Sequence, residues 1–407
     1  MKPLIQLLFS VLFSLLILSK VMATDNPIKL RVATFNVSME ALNYADKNSD
    51  KQSITGNELT QALQKKNQHG TQQIKNIAEI IQRINPDVIL LNEFDRVDDN
   101  LDNIRYFITS YLAKSQNGQA SVSYPYYYQG AVNTGVLIDE NLTESDVNHD
   151  GRKNQRPEDT HGFGYFEGHY GMVLLSKYPI NEKEIRTFQH FKWSDMPNAL
   201  KPVVPKTQQA WFSDETWQAL RLSSKSHWDI PVDIKGETIH ILASHPTPPV
   251  FDGAENRNGK RNHDEIRFWS DYINGEQGQY IYDDNNIKGA LAAHQRFVIV
   301  GDQNASNVDG DAINAGINSL LNDSKTQDPH PISKGGELHS PDNINAKYHS
   351  AYWGMRADYV LPSTFGFKLL NSGVFWPTAS EETYRLIKNR QASSDHRLVW
   401  VDVELTQ

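Results

Sequence analysis

Seven apolar runs of three to six residues recur along the chain and stop abruptly at polar groups. They are Leu30–Phe35, Val88–Leu91, Met172–Leu175, Ile239–Ala243, Phe297–Val300, Tyr359–Leu361 and Leu398–Val403. Runs this short, rich in Val, Ile and Leu, suit strands covered on both faces rather than helices. A helix separates the first two. Ile74, Ile77, Ile81 and Ile84 repeat at spacings of three and four, which predicts a helix from Thr71 to Ile84, stopped by Asn85-Pro86. A second helix is expected from Asn262, which has capping-box spacing to Glu265 ahead of a stripe of Ile266, Trp269 and Ile273. Strands and helices mix without strict alternation, which predicts an α/β (α+β) sandwich. The long polar stretches 41–70, 98–170 and 185–230 read as insertions or decorated loops, and 247–288 as a further one.

The first residues carry a different signal. Met1-Lys2 precedes a run from Leu4 to Leu18 that is nearly free of polar residues, closed by the small-residue site Val21-Met22-Ala23. A charged start, an apolar core of this length and such an end predict a secretory signal peptide over 1–23, followed by one domain over 24–407. The run falls short of the roughly 20 residues a spanning helix needs, so no membrane anchor is expected. Cleavage would place the protein in the periplasm or outside the cell. It would remove Lys2 and Lys20 and leave 38 basic against 49 acidic residues. With no cysteine, the exported chain has no disulfides. A net acidic protein is not a passive binder of phosphate backbones. It can act on phosphates where a divalent cation supplies positive charge locally.

The polar residues at the strand ends supply what such chemistry needs. In order they are Asn36, Asn92-Glu93, Ser244-His245, Asp302-Gln303-Asn304, Asp358 and Ser394-Asp395-His396. Hydrolysis of a phosphate ester requires a nucleophilic water, neutralisation of developing oxygen charge and help for the leaving group. Glu93 offers hard anionic oxygen for Mg²⁺ or Mn²⁺, and Asn36 a neutral oxygen beside it. Asp302 is placed to orient or deprotonate the attacking water, with Asn304 on the same turn. His396 calls for a carboxylate that fixes its tautomer, and Asp358 is the natural partner.

These segments resemble the endonuclease/exonuclease/phosphatase superfamily, also called deoxyribonuclease-I-like. The matching pieces are TFNV (34–37), NE (92–93), GMVLLSKYPI (171–180), SHP (244–246), GDQN (301–304), ADYV (357–360) and SDH (394–396), in the family's order. The resemblance implies a four-layer sandwich of two packed mixed β-sheets flanked by helices. It also implies a divalent-metal-dependent phosphoesterase. Carried over, the family pattern makes Asn36, Glu93 and Asp395 metal-site residues, and gives His245, Asp302, Asn304, Asp358 and His396 catalytic roles. Gln303 departs from the aromatic or aliphatic residue more usual there. Phosphodiesters, phosphomonoesters and nucleic acid all remain open as substrates. The rival from another class is a catalytically silent member that binds carbohydrate or a surface partner.

Two further stretches bear on ligands. Residues 252–265 gather Arg257, Lys260, Arg261 and His263 just beyond His245, and resemble a block in secreted bacterial members of unknown substrate. In an acidic protein, Arg257, Arg261 and His263 are the expected substrate contacts. Asp146 to Gly151 matches the first half of a calcium loop, but the twelfth position is Pro157, with Glu158 one place late. A turn is the simpler reading, with Ca²⁺ as the alternative. The aromatic residues Tyr124, Tyr126–Tyr128, Trp193, Trp211, Trp217 and Trp228 could stack on bases or sugars. Core packing explains them more simply.

Overall fold

A computed structural model describes residues 27–66, 71–97, 99, 101–139 and 145–406; the signal peptide expected over 1–23 lies outside them. The first sheet begins with β1 (Lys29–Met39), β2 (Val88–Phe94), β3 (Tyr126–Tyr128) and β4 (Met172–Ser176). The second is made of β5 (Arg186–Thr187), β6 (His227–Ile234), β7 (Glu237–Ser244), β8 (Arg296–Asp302) and β9 (Asp358–Pro362), in that spatial order. The chain then returns to the first sheet with β10 (Phe367–Val374) and β11 (Val399–Leu405), giving the order β10-β11-β1-β2-β4-β3. Each sheet is mixed: β1 runs parallel to β2 and β7 parallel to β8, and every other pairing is antiparallel.

The apolar runs are continuous because both faces of these strands are covered. On β8, Val298 and Val300 face the first sheet, while Phe297 and Ile299 face outward onto a second cluster. On β7, Ile239, Ile241 and Ala243 point in and Leu242 points out. The inner layer joins these residues to Val32, Leu90, Leu174 and Val401 of the first sheet. Outside the first sheet, the helix Thr71–Ile84 buries Ile74, Ile77 and Ile81 at the expected spacing. Outside the second, the helix Arg257–Ile273 buries Ile266, Trp269 and Ile273. The architecture is the four-layer sandwich of two mixed sheets flanked by helices. Among the described residues no helix is long and apolar enough to cross a membrane.

Several stretches differ from the sequence expectation. The segments 98–170 and 185–230 are not only loops, since they carry β3, β5 and the start of β6. Pro231, which lacks a ladder donor, hides the strand β6 in the sequence; beyond the two-residue β5 that side of β6 meets only a single bridge, Ile180 to Val232, with Asn181 N donating to Pro231 O at 2.9 Å. Segment 247–288 contains a whole helix, and that helix starts at Arg257, five residues before the expected Asn262. Asn262 and Glu265 therefore do not cap it. Both lie on its buried face and hold neighbouring loops. Asn262 Nδ2 donates to the carbonyls of Thr247 and Gln303, both at 2.9 Å. Glu265 accepts from the amides of Ser224 and Thr247, each at 2.6 Å.

Candidate active site

The two sheets bring one set of strand ends to a common edge. At its centre is Asp302, the last residue of β8, 1% exposed. Three groups converge on its Oδ2: Asn36 Nδ2 at 3.1 Å, His245 Nε2 at 3.4 Å and His396 Nε2 at 3.5 Å. Its Oδ1 accepts from the backbone amide of Asn304 at 2.9 Å. Behind His396, Nδ1 meets Asp358 Oδ2 at 2.9 Å, and that oxygen also accepts from Ser350 Oγ at 2.7 Å. The carboxylate partner expected of His396 is in place. Arg356, two residues before Asp358, pairs with Asp328 instead.

Electrostatics separates the roles. Burial alone would lower the His396 imidazole, but the Asp358 and Asp302 carboxylates overcome it and raise it to about 10. Burial would raise Asp302, yet His396 and His245 hold it well below the usual carboxylate range. The His245 imidazole is lowered to about 4, first by burial and then by the nearby Lys225 ammonium. One histidine is thus charged and the other neutral, on either side of the same carboxylate.

Glu93 and Asp395 form the acidic side of the site. Burial first, then the Asp395 carboxylate, push Glu93 up to about 7, with His396 and Asn36 opposing. Asp395 accepts from Ser38 Oγ at 3.2 Å and lies 3.5 Å from Arg390 Nη1. A divalent cation fits here by charge and hardness: two carboxylates and the Asn36 amide crowd together with one half-exposed guanidinium to balance them. Asp302, Asp358 and His396 also place one ligand atom each within 4.8 Å of one another. His396 already brings positive charge into that group, so Glu93, Asp395 and Asn36 are the better hard-cation set.

Other features shaping the site leave little trace in the sequence. Glu93 has a left-handed backbone (φ 55°), uncommon outside glycine. Asp95 pins the chain around it, accepting from the amides of Ala41 and Tyr170, each at 2.7 Å. Glu40 in turn meets buried His169 at 3.2 Å. Lys225 is 6% exposed. Burial lowers its ammonium, while the neighbouring Glu265, Glu93 and Asp302 carboxylates pull the other way, so its amine stands among the acidic groups at the floor of the site. Only the spacing of Asp95, two residues after Glu93, was available as a clue.

The expected basic cluster is not assembled for substrate. Arg261 is buried, and its guanidinium donates to the carbonyls of Leu222 at 2.8 Å, Arg221 at 2.9 Å and His161. Arg257 pairs with Glu255, and His263 Nδ1 lies 3.0 Å from Asp264. The helix starts early, at Arg257, which puts Arg261 on its buried face, while Arg257 and His263 stay part-exposed, each beside a carboxylate. The amide of Asn304 is also engaged, with Nδ2 donating to Pro246 O at 3.2 Å. In the 146–158 loop, Asp146 accepts from the amides of Asp150 and Gly151, and Arg152 pairs with Asp150. Among the described residues, no three carboxylates of this loop come within ligand distance of one another. Trp193, Trp217 and Trp228 are core residues.

A model of the Endonuclease/Exonuclease/phosphatase family matches residues 33–396. The chain belongs to that family. Its members hydrolyse phosphoester bonds and commonly use divalent metals. Three solved structures are similar to the chain at low identity. An endonuclease/exonuclease/phosphatase from Beutenbergia cavernae is 16% identical, covering 93% of this chain and 72% of that one, with a TM-score of 0.48. A family protein from Leptotrichia buccalis is 14% identical, covering 92% and 99%, with a TM-score of 0.45. The human Nocturnin catalytic domain, solved with bound sulfate, is 10% identical over 94% and 97%, also at 0.45. No curated protein sequence matches the chain significantly.

Proposed function

We propose that the chain is an exported, divalent-metal-dependent phosphoesterase that cleaves its substrate by in-line attack of water. The observation that carries this reading is the convergence of Asn36, His245 and His396 on one oxygen of Asp302, beside the crowded carboxylates of Glu93 and Asp395. Export rests on the sequence of residues 1–23.

The residues divide the work by charge. Asp302, held ionised, accepts the proton of the attacking water and orients it. His396, held protonated between Asp302 and Asp358, presents an N–H to a phosphoryl oxygen as charge develops. Lys225 adds a second positive charge in the same low-dielectric floor. Neutral His245 faces the same centre and assists the leaving oxygen. Glu93, Asp395 and Asn36 would hold Mg²⁺ or Mn²⁺, which supplies Lewis-acid neutralisation of the phosphoryl oxygens when bound. Asn304 sets the Asp302 carboxylate through its backbone amide.

The test is hydrolysis of bis-p-nitrophenyl phosphate, p-nitrophenyl phosphate, plasmid DNA and RNA by the purified protein, with Mg²⁺, Mn²⁺, Ca²⁺ or EDTA. Metal-dependent turnover lost in His396→Ala is the expected result. An EDTA-insensitive rate, or an undiminished one in the variant, would overturn the reading. Silence on every ester despite bound metal would favour a binding role.

A further inference from the structure

The turn at 351–354 leaves two large rings in solvent at the edge of the site. Tyr352 and Trp353 are 50% and 52% exposed, whereas Trp193, Trp228 and Trp269 are fully buried. The turn is firmly held. Tyr352 N donates to Asp395 O at 2.8 Å, and Gly354 N donates to Ala351 O at 3.0 Å. Ala351 is bridged to both Met355 and His396. From the other side, His339 Nε2 meets the Tyr352 carbonyl at 2.7 Å and its ring lies against the tyrosine. At the tip, the Trp353 ring centroid stands 4.9 Å from the His396 imidazole, with the planes at 84°.

An edge-to-face contact covers at most one face of an indole, so an open ring face is presented next to the proposed proton-handling histidine. Fixing a tryptophan half in water forgoes most of the stabilisation its burial would bring. Nothing in the fold is gained by it, so the gain lies with what enters the site.

We propose that Trp353 is a specificity-determining residue that stacks on a planar aromatic ring, such as a nucleobase, carried by the phosphoester whose phosphorus sits at Asp302 and His396. The inference rests on the phosphoesterase reading above and names its substrate class. Stacking a base on an aromatic side chain changes affinity by roughly tenfold or more on alanine substitution.

Two diesters with one leaving group test it: thymidine 5′-(p-nitrophenyl phosphate) and methyl p-nitrophenyl phosphate. Wild type should favour the nucleoside ester in kcat/KM. That ratio should fall about tenfold in Trp353→Ala and be largely kept in Trp353→Phe. The ratio cancels any effect of the substitution on His396 itself. An unchanged ratio in Trp353→Ala would overturn the inference. Calorimetric binding of thymidine 5′-monophosphate gives an independent readout. If wild type hydrolyses neither diester, the diesterase form of the phosphoesterase reading fails, and binding alone then decides. Nucleotide binding weakened in Trp353→Ala supports stacking, and binding that is absent or unaffected refutes it.

Discussion

His396 lies between two buried carboxylates, and the account assigns it the proton that faces the phosphoryl group. Replacing it with Ala should lower kcat by about 10²–10⁴-fold, the usual span for a positioned acid or base. Steady-state assays beside a circular dichroism check would show a folded, inactive protein. Lys225→Met should lower kcat by about a hundredfold, because one preformed cation is removed where charge develops; a normal rate would place the ammonium outside the chemistry. At this scale the sequence was most legible where a functional group closes an apolar run. Asn36, Glu93, Asp302, Asp358 and His396 all do so, and the structure brings them together. Lys225 lies in Ser223-Ser224-Lys225-Ser226, which has no periodicity and reads as an exposed polar loop. Its burial arises from tertiary packing of that loop against Glu265 and Gly162, which local sequence does not encode. Arg261 erred in the opposite sense, since a basic residue near a site histidine looked like a ligand and is a structural donor.

The helix Arg257–Ile273 is the element on which the floor of the site depends. Glu265 binds the amides of Ser224 and Thr247, which flank Lys225 and His245. In Glu265→Gln one of these amides would face an NH₂ group, at a cost of about 1–3 kcal/mol. A lower denaturant midpoint and a lower kcat should appear together; loss of stability with an unaltered rate would argue against the coupling. The same helix carries a pH signature. His227 Nε2 donates to Glu265 O at 2.8 Å, Nδ1 meets Ser223 Oγ, and burial lowers the imidazole from 6.5 to about 4. The folded state therefore refuses a proton that the unfolded chain accepts. Stability from this group is complete above pH 6.5 and is lost as pH falls from there toward 4, up to about 3 kcal/mol. Urea titrations between pH 7 and 4.5 should show a shallower pH dependence in His227→Gln than in wild type. The sequence marked the helix by its apolar stripe and misplaced its start, because Arg257 to Arg261 are polar residues that tertiary contacts draw into a helix.

Across the whole molecule, two sheets that would be stable through their apolar faces alone carry an edge where acidic groups crowd together. Around Glu93 and Asp395 this crowding disfavours the folded state until a cation is bound. Mg²⁺ or Mn²⁺ should therefore raise the melting temperature of wild type, with a gain near 2.7 kcal/mol at about 100 times the dissociation constant. The shift should be small in Glu93→Gln, and an equal shift in that variant would move the metal elsewhere. The layered architecture followed from the short doubly covered strands, whereas the order of strands within each sheet did not, because pairing is a long-range property. The central claim is that water attacks phosphorus at Asp302 and His396. The most direct measurement is turnover in ¹⁸O-labelled water with Mn²⁺, followed by mass spectrometry of the products. The account predicts one labelled oxygen on the phosphate-bearing product and none on the released alcohol or phenol. Label in the alcohol or phenol would contradict it, as would label in the phosphate product at the same rate from His396→Ala.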